Sequence, residues 1–340
     1  MKFDFAIGNP PYQEDNENSV RKSPVYNDFM DAAFVVANTV ELITPGRFLF
    51  DAGQTPKEWN KKMLSDEHFK VLHYENDASR VFPATDIKGG VIISLHDSNK
   101  VFGKISVFTP FEELNKIYQK VSKRSLLNLD TLVSQRGMYR LCDKFFVDFP
   151  NATSQLESGT GNMIVSNIFG RLPEAFLSEK PVHGDYIKIL GRANNSRAYR
   201  YIKSEYVLHN EFIDKYKLFF PEANSNGQFG EVLTLPEIGR PFEGATDTFL
   251  NIGLFDSEYE ALSLLKYIKS KFLRALLGIK KATQHTPRPV WDTIPVQDFT
   301  DKSDIDWSKS VKEIDQQLYR KYALTQDEIG FIESKVKEME

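Results

Sequence analysis

The segment Lys2–Tyr12 constrains this chain most, because an alternating apolar run there leads directly into Asn-Pro-Pro-Tyr. Phe3, Phe5 and Ile7 alternate with charged or small residues, which is the pattern of a β-strand. Two consecutive prolines fix φ and remove two N–H donors, so the nearby carbonyls are expected to stay outside any local hydrogen-bond ladder. The segment therefore predicts a strand that ends in a rigid loop rich in hydrogen-bond acceptors.

Such a loop suits a planar group that carries an NH₂. The carbonyls of Asn9 and Pro10 and the Asn9 side chain offer acceptors, and Tyr12 offers a flat face and a hydroxyl. If the amine is to be methylated, acceptors in its plane also make its lone pair a better nucleophile. Pro-Pro occurs in ordinary surface turns as well, and that alternative stays open.

The motif Asn9-Pro10-Pro11-Tyr12 after a strand resembles the catalytic motif of amino-methyltransferases. Phe3–Gln13 as a whole resembles the DNA adenine N(6)-methyltransferases of type II and type IIG restriction-modification systems, with the gamma-class motif order. The resemblance implies that the Asn9 side chain and the Pro10 carbonyl bind the amine of a flipped adenine while Tyr12 stacks on it. It also implies S-adenosylmethionine as the methyl donor and direct attack by the amine, without a covalent enzyme intermediate.

Ser79–Pro83 is the second informative stretch, followed by the turn Asp86–Gly90 and the strand Val91–Leu95. In the family, an aromatic residue in a similar Val-Phe-Pro setting lies on the face of the base opposite the motif tyrosine. The resemblance thus gives Phe82 the second stacking role, and a core phenylalanine is the alternative. Asp86 and Lys88 in the turn are expected to be solvated charges, and ordering of this loop near the substrate is the alternative.

Strand and helix patterns alternate through residues 1–110, which predicts an α/β fold with a partial doubly wound, Rossmann-like methyltransferase sheet. Ser23-Pro24 is expected to begin a helix that buries Phe29 and Val36, and Thr55–Glu58 reads as the capping box of a second helix. Further strands are expected at Val40–Thr44, Phe48–Phe50 and Phe69–Tyr74.

The alternation is lost beyond Phe102, so we place a domain boundary near Phe111. Residues 1–110 would be the catalytic half of a methyltransferase domain, and residues 111–340 an α+β target-recognition domain. Residues 305–340 are expected to form a C-terminal helical hairpin with a capping box at Thr325. Ser158–Asn162 is glycine-rich, but no strand precedes it and a third glycine is missing, so we interpret it as an ordinary loop.

Positive charge is concentrated in two segments, although the net charge is −4. Ile187–Lys217 has seven Lys or Arg against three acids, interleaved with tyrosines, and Ala261–Trp291 has seven and no acid. Helix-dipole complementarity explains two or three of the latter. The excess predicts double-stranded DNA as a partner. The residues expected to contact DNA are Lys188, Arg192, Arg197, Arg200, Lys203, Lys266, Lys269, Lys271, Arg274, Lys280, Lys281 and Arg288. Side chains that can make bidentate contacts with bases are Arg192, Asn194, Asn195, Gln284 and Arg288.

Cysteine and histidine usage argues against a metal. Cys142 is the sole cysteine, which excludes a disulfide framework or a thiolate cluster and fits a cytoplasmic location. The six histidines lack ligand spacing. We therefore expect no metal.

The glycine-rich turn that binds S-adenosylmethionine in the family, and its acid, precede the Asn-Pro-Pro-Tyr strand and are not recognisable in this chain. The cofactor-binding residues stay unknown, and the N-terminal cofactor-binding half is expected to be missing. The opening strand would then be an unprotected sheet edge. A fragment, a split enzyme completed by a second polypeptide, and a DNA-binding remnant are the open explanations.

The function expected is site-specific DNA adenine methylation in a type II restriction-modification system, with this chain inactive alone. A non-catalytic DNA-binding specificity subunit is one alternative. A protein-glutamine methyltransferase is another, because a glutamine amide is also planar with an NH₂. The long basic, tyrosine-interleaved remainder of the chain disfavours the latter.

Overall fold

The computed structural model describes residues 2–14, 23–50, 54–75, 77–83, 87, 89–156, 159–194, 196–224, 228–281 and 284–339. The chain is mixed α/β and divides into two compact units, Met1–Asn115 and Lys116–Glu340. The roles expected for the two parts of the chain stay predictions. Among the described residues, no helix is long and apolar enough to span a membrane.

Unit 1 is organised around a four-stranded mixed sheet. Its elements are β1 (Phe3–Gly8), β2 (Gln13–Glu14), β3 (Ser23–Pro24), α1 (Tyr26–Val36), β4 (Ala37–Pro45), α2 (Lys57–Ser65), β5 (Phe69–Glu75) and β6 (Val91–Asp97). The strand order is β1-β4-β6-β5, with β1 parallel to β4 and with β6 antiparallel to both β4 and β5. The carboxyl ends of β1, β4 and β5 therefore share one edge of the sheet with the start of β6.

The core of unit 1 lies on the face of the sheet that α1 covers. Tyr26 and Met30, one helical turn apart, are fully buried, and they pack with Val40 and Leu42 of β4. Each such side chain stabilises the unit by about 1.5–3 kcal/mol through burial. α1 is the crossover helix that a parallel strand pair needs.

The helix start predicted at Ser23-Pro24 is wrong. These residues form β3, which pairs with β2, and α1 begins at Tyr26 after Val25, which makes no side-chain cap. The helix face was also mispredicted: because Tyr26 and Met30 turn toward the core, Phe29 and Val36 are 47% and 48% exposed.

Two other local predictions in unit 1 are wrong. The Thr55 hydroxyl donates to the Asn60 side chain (2.7 Å) and leaves α2 without a side-chain cap. Phe48–Phe50 lies in a 3₁₀ turn, Arg47–Phe50, that folds Phe48 into the core instead of extending a strand. The strands predicted at Val40–Thr44 and Phe69–Tyr74 are confirmed, as are those before Asn9 and from Val91.

Unit 2 contains two three-stranded sheets and several helices among its described residues. Its elements, together with the helix that spans the division, are α3 (Glu112–Ser122), α4 (Asp143–Asp148), α5 (Ala152–Gln155), α6 (Ile168–Arg171), β7 (Tyr186–Ala193), β8 (Ser196–Lys203), β9 (Tyr216–Pro221), β10 (Glu237–Gly239), β11 (Glu243–Ala245), β12 (Phe249–Phe255), α7 (Glu258–Lys269), α8 (Lys271–Leu277), α9 (Val311–Lys321) and α10 (Gln326–Lys335).

The sheets of unit 2 have the strand orders β10-β9-β12 and β11-β7-β8. β7 and β8 form a regular antiparallel hairpin. The capping box predicted at Thr325 is confirmed at the start of α10, and α7 begins with another at Ser257. In both, the N-cap hydroxyl and the glutamate three residues on satisfy each other's backbone N–H groups.

Candidate target-base site

The Asn9–Tyr12 loop leaves the carboxyl end of β1 and is held at its far side by backbone bonds. The Tyr12 carbonyl accepts a hydrogen bond from the Val25 N–H (3.2 Å), and the following residues pair as β2 with β3. This ladder brings the chain back to the start of α1. The loop thus connects the end of β1 to the β2–β3 pair that precedes α1.

The Asn9–Tyr12 loop is partly exposed. Asn9 is exposed and Pro10 is half-buried. Among the described residues, no backbone N–H donates to the carbonyls of Asn9 and Pro10 outside the strand ladder. An amine-binding loop requires acceptors of this kind.

Tyr12 joins the loop to the core of unit 1. Its half-buried ring packs against the cluster that contains Tyr26 and Phe48. Its hydroxyl is buried and has no hydrogen-bond partner of ordinary geometry among the described residues. Burial raises the pKa of Tyr12 to about 12, and the neighbouring Asn9 side chain offsets part of the rise. The phenol is therefore neutral in any ordinary assay.

Phe82 reaches the same place from β5. After the strand ends, the Asp77 carboxylate caps a 3₁₀ turn by accepting from the Ser79 N–H (3.1 Å), and the Phe82 N–H donates to the Ala78 carbonyl (2.8 Å). The Phe82 and Tyr12 rings meet with their centroids 6.3 Å apart and their planes at 70°. The two rings singled out in the sequence are thus neighbours, but they meet edge to face.

A base stacked between two parallel rings needs them about 7 Å apart, because each stacking step takes about 3.4 Å. The observed centroid separation of 6.3 Å is close to that value, but the ring planes, at 70°, are far from parallel. Binding of a base between Tyr12 and Phe82 therefore requires one ring to turn and the pair to separate slightly. Phe82 lies on a short turn beyond β5, whereas Tyr12 packs on the core of unit 1.

A third loop, which leads into β6, lies at the same edge of the sheet. The Gly46 N–H donates to the Gly90 carbonyl (2.9 Å), which ties the end of β4 to the start of β6. Gly89 has φ +84°, and a Cβ there would lie 2.7 Å from the Arg47 Cβ. Only glycine fits this turn without strain. The acid and the lysine at positions 86 and 88 lie outside the described residues.

Arg47 and Tyr26 are polar groups at this edge that the sequence reasoning missed. The Arg47 Nε is buried without a hydrogen-bond partner among the described residues. Burial raises the pKa of Tyr26, and the positive charge of Arg47 opposes that rise. An arginine directly after a buried strand and Pro-Gly was the available signal.

The predicted DNA contacts of the first basic segment lie on β7 and β8. Arg192 and Lys203 are exposed near the ends of the hairpin. The Lys188 Nζ lies 3.1 Å from Glu243, and Arg197 lies 2.8 Å from Glu237. Arg200 donates to a backbone carbonyl and lies over the ring of Phe169. Asn195 lies outside the described residues.

The second basic segment is largely occupied within unit 2. Lys281 and Arg274 are 5% and 2% exposed; the lysine pairs with Glu231, and the arginine donates to backbone carbonyls. Lys266 donates to three carbonyls, Lys271 and Lys280 form ion pairs, and the Arg288 Nε donates to a carbonyl. Lys269 is half-buried, and Gln284 is exposed. The structure thus gives most of these cations a role in the fold, and their contact with DNA stays a prediction.

The loop that contains Gly159 and Gly161 does not have the setting of a glycine-rich cofactor-binding turn. Both glycines have positive φ and open surroundings, but the element before them is the four-residue helix α5 rather than a strand. Across the described ranges, no group of three or more His, Cys, Asp or Glu side chains could hold a metal.

Two comparisons of this chain with known proteins found similarities. Residues 1–82, which include β1, the Asn9–Tyr12 loop and Phe82, match the family model of the Eco57I restriction-modification methylase. A protein of Mycoplasma pneumoniae described as an uncharacterized adenine-specific methylase is 28% identical over 131 residues, which are 37% of this chain and 31% of that protein. The match thus spans about a third of the relative's length. Together these similarities support a methylase of the restriction-modification type.

Proposed function

We propose that this chain holds the target adenine of a site-specific DNA adenine methyltransferase in a type II restriction-modification system. The observation that carries the proposal is the meeting of the Asn9–Tyr12 loop and Phe82 at one edge of the sheet, within the residues that match the methylase family. Ligands of open α/β sheets bind at this edge, where parallel strands end. Duplex DNA in the cytoplasm is the proposed substrate.

The proposed pocket acts by holding the amine and the ring of an extruded adenine. The Asn9 side chain and the Pro10 carbonyl accept hydrogen bonds from the amine, and Pro11 keeps the loop rigid. Because these dipoles are fixed before the reaction, they stabilise the positive charge that develops on the amine nitrogen. Tyr12 and Phe82 supply the stacking faces, and the neutral phenol adds no charge beside the base.

The exposed face of β1 supports a further segment that covers it. Phe3, Phe5 and Ile7 are 70–78% exposed on the sheet face opposite the Ala6 side, which packs on the core. Phe29 and Val36 are half exposed as well, but they belong to α1, which covers the Ala6 side of the sheet. We propose that a segment that binds S-adenosylmethionine, from a second polypeptide or another part of the protein, covers this surface in the gamma-class order.

The first experiment compares the wild type with Asn9→Ala in the presence of the polypeptide that supplies cofactor binding. Asn9→Ala should abolish methylation of duplex DNA and change DNA affinity less than about threefold, because the side chain touches only the flipped base. Asn99→Ala is the matched control, since Asn99 is an exposed asparagine beyond the opposite end of β6. Equal loss of DNA affinity in Asn9→Ala would contradict the assigned role.

Titration calorimetry of the isolated chain tests whether binding of S-adenosylmethionine requires the cofactor-binding polypeptide. We expect no tight binding of S-adenosylmethionine and no methyl transfer until the cofactor-binding polypeptide is added. Tight binding by this chain alone would refute that part of the proposal.

A non-catalytic DNA-binding specificity subunit is the second candidate. The edge-to-face contact of Tyr12 and Phe82 favours it, because the rings in this arrangement fill each other's stacking space. It predicts DNA binding that is indifferent to Asn9→Ala and to every added cofactor-binding partner.

A further inference from the structure

The β7–β8 hairpin is basic, and beyond Leu190, where its pairing with β11 stops, it continues as a two-stranded ribbon with a compact end. It has five Lys or Arg residues and no acid between Tyr186 and Lys203. Every residue of β7 pairs with one of β8, so just two residues, Asn194 and Asn195, connect the strands. Asn194 has φ +50°, a conformation that asparagine tolerates and that tight hairpin turns require.

Strand alternation gives the hairpin one face that packs on the core and one face that carries four of its cations. Ile187, Ile189 and Ile202 are at most 2% exposed and lie in the core of unit 2, and Arg200, which pairs with Ile189, lies on the same face. Cross-strand pairs on the opposite face are Arg192 with Arg197, Leu190 with Tyr199, Lys188 with Tyr201, and Tyr186 with Lys203. Leu190 on that face is buried, whereas Arg192 and Arg197 near the turn are exposed, so the end of the hairpin is the part that a partner can contact.

Neighbouring carboxylates orient this face without cancelling its charge. Glu237 binds Arg197 (2.8 Å) and accepts from the Tyr199 hydroxyl (2.6 Å), while Glu243 and Glu205 lie against Lys188 and Lys203. Four cations thus lie on this face, beside these three carboxylates. Side chains held in this way lose less conformational freedom when a partner binds.

We infer that the end of the β7–β8 hairpin enters the major groove of duplex DNA and that Arg192 and Asn194 determine sequence specificity. The inference rests on the proposed function and names the element that would read the DNA. The major groove is about 12 Å wide and admits a two-stranded ribbon. Arginine pairs with two acceptors of guanine, and asparagine pairs in the same way with adenine. Lys188 and Lys203, toward the base of the hairpin, are placed to contact phosphates.

The test is selection of bound sequences from a randomised duplex pool by the full chain. The wild type is compared with Arg192→Ala, Arg192→Lys, Asn194→Gly and the control Lys302→Ala, an exposed lysine outside both basic segments. Glycine at 194 keeps the left-handed turn and removes the side chain. Thermal unfolding of each variant shows whether the fold is kept.

Arg192→Ala should relax the selected sequence at one position and lower affinity for the wild-type sequence roughly 5- to 150-fold, the worth of one bidentate base contact. Arg192→Lys should lose the same preference while keeping affinity for unrelated duplexes, because it keeps the charge and loses the planar fork. Asn194→Gly should relax a neighbouring position, and Lys302→Ala should select the wild-type sequence.

An unchanged selected sequence in Arg192→Ala and Asn194→Gly would overturn the inference. If the wild type binds duplexes in a salt-dependent way but enriches no sequence, the inference falls and DNA binding stands. If the wild type binds no duplex DNA, or prefers duplex RNA, both the inference and the proposed function fall.

Discussion

Lys217 is a fully buried lysine on β9, and its replacement by methionine should change how stability depends on pH. The Nζ donates to the carbonyls of Lys215 (3.0 Å) and Arg240 (2.8 Å). Burial disfavours the charged form and lowers the pKa of this amine from 10.5 to about 7, while the charges of Glu243 and Asp214 oppose the shift. Two carbonyl acceptors match the two N–H donors of a neutral amine.

The sign and size of the effect follow from proton uptake. Between pH 7 and about 10.4, the unfolded chain holds a proton on Lys217 that the folded chain has released. The unfolded state thus binds more protons, so the free energy of unfolding rises with pH through this window. The slope is at most about 1.4 kcal/mol per pH unit, which gives about 2 kcal/mol between pH 7 and pH 9.

Urea unfolding at pH 7, 8 and 9 measures this difference. In a Trp59→Phe background, fluorescence reports Trp291 and Trp307, both of which lie in unit 2. The wild type should gain about 2 kcal/mol relative to Lys217→Met from pH 7 to pH 9, because the variant has no amine to titrate. The exposed Lys302→Met is the control and should follow the wild type. A wild-type advantage that stays constant with pH would refute the reasoning about Lys217.

Three further changes test packing, charge and the pocket. Gly191→Ala should lower the free energy of unfolding by about 1–3 kcal/mol, because its Cβ would lie 2.6 Å from the Phe169 ring. Lys281→Met should cost about 3–5 kcal/mol by leaving Glu231 buried without its partner. Tyr12→Phe should leave the stability of unit 1 unchanged or higher and keep methylation, because the lost hydroxyl is buried and has no hydrogen bond of ordinary geometry among the described residues. Urea unfolding checks all three stabilities, and the reconstituted methylation assay checks Tyr12→Phe.

Each of these changes has a matched control. Gly170→Ala meets no atom within 4 Å and should be nearly neutral, so equal losses at the two glycines would contradict the packing argument. Arg192→Ala removes an exposed cation and should change stability by less than about 0.5 kcal/mol. Tyr12→Ala should abolish methylation, and a Tyr12→Phe variant as inactive as Tyr12→Ala would show that the hydroxyl itself is needed.

The sequence was most informative where one local pattern decides the structure. Alternation of Phe3, Phe5 and Ile7 with polar or small residues predicted a strand, and the hydroxyl-x-x-Glu pattern at Thr325 predicted a helix start. The same kind of signal failed at Thr55, whose hydroxyl bonds Asn60, and at Ser23, which pairs in a strand. In those two places, a contact with residues outside the pattern competes with the cap.

The sequence could not predict which charged side chains are buried. Seven cations without an acid in Ala261–Trp291 suggested a DNA-facing surface, yet Lys281 and Arg274 are buried against Glu231 and backbone carbonyls. Apart from the Lys269 carbonyl, which Arg274 also contacts, the partners of these two residues lie 43 to 63 residues away in the chain, which no count along a segment can show. The approach of Tyr12 to Phe82 was anticipated from the family resemblance, whereas their edge-to-face angle was not.

The most direct test of the adenine pocket is the identity of the methylated product. This chain and its cofactor-binding partner would be expressed together in a methylation-free host. Plasmid DNA from that host would then be digested to nucleosides and analysed by mass spectrometry. The proposed function predicts N6-methyldeoxyadenosine with the wild type and none with Asn9→Ala. A methyl group on cytosine or on a protein glutamine, or the same adenine product with Asn9→Ala, would contradict it.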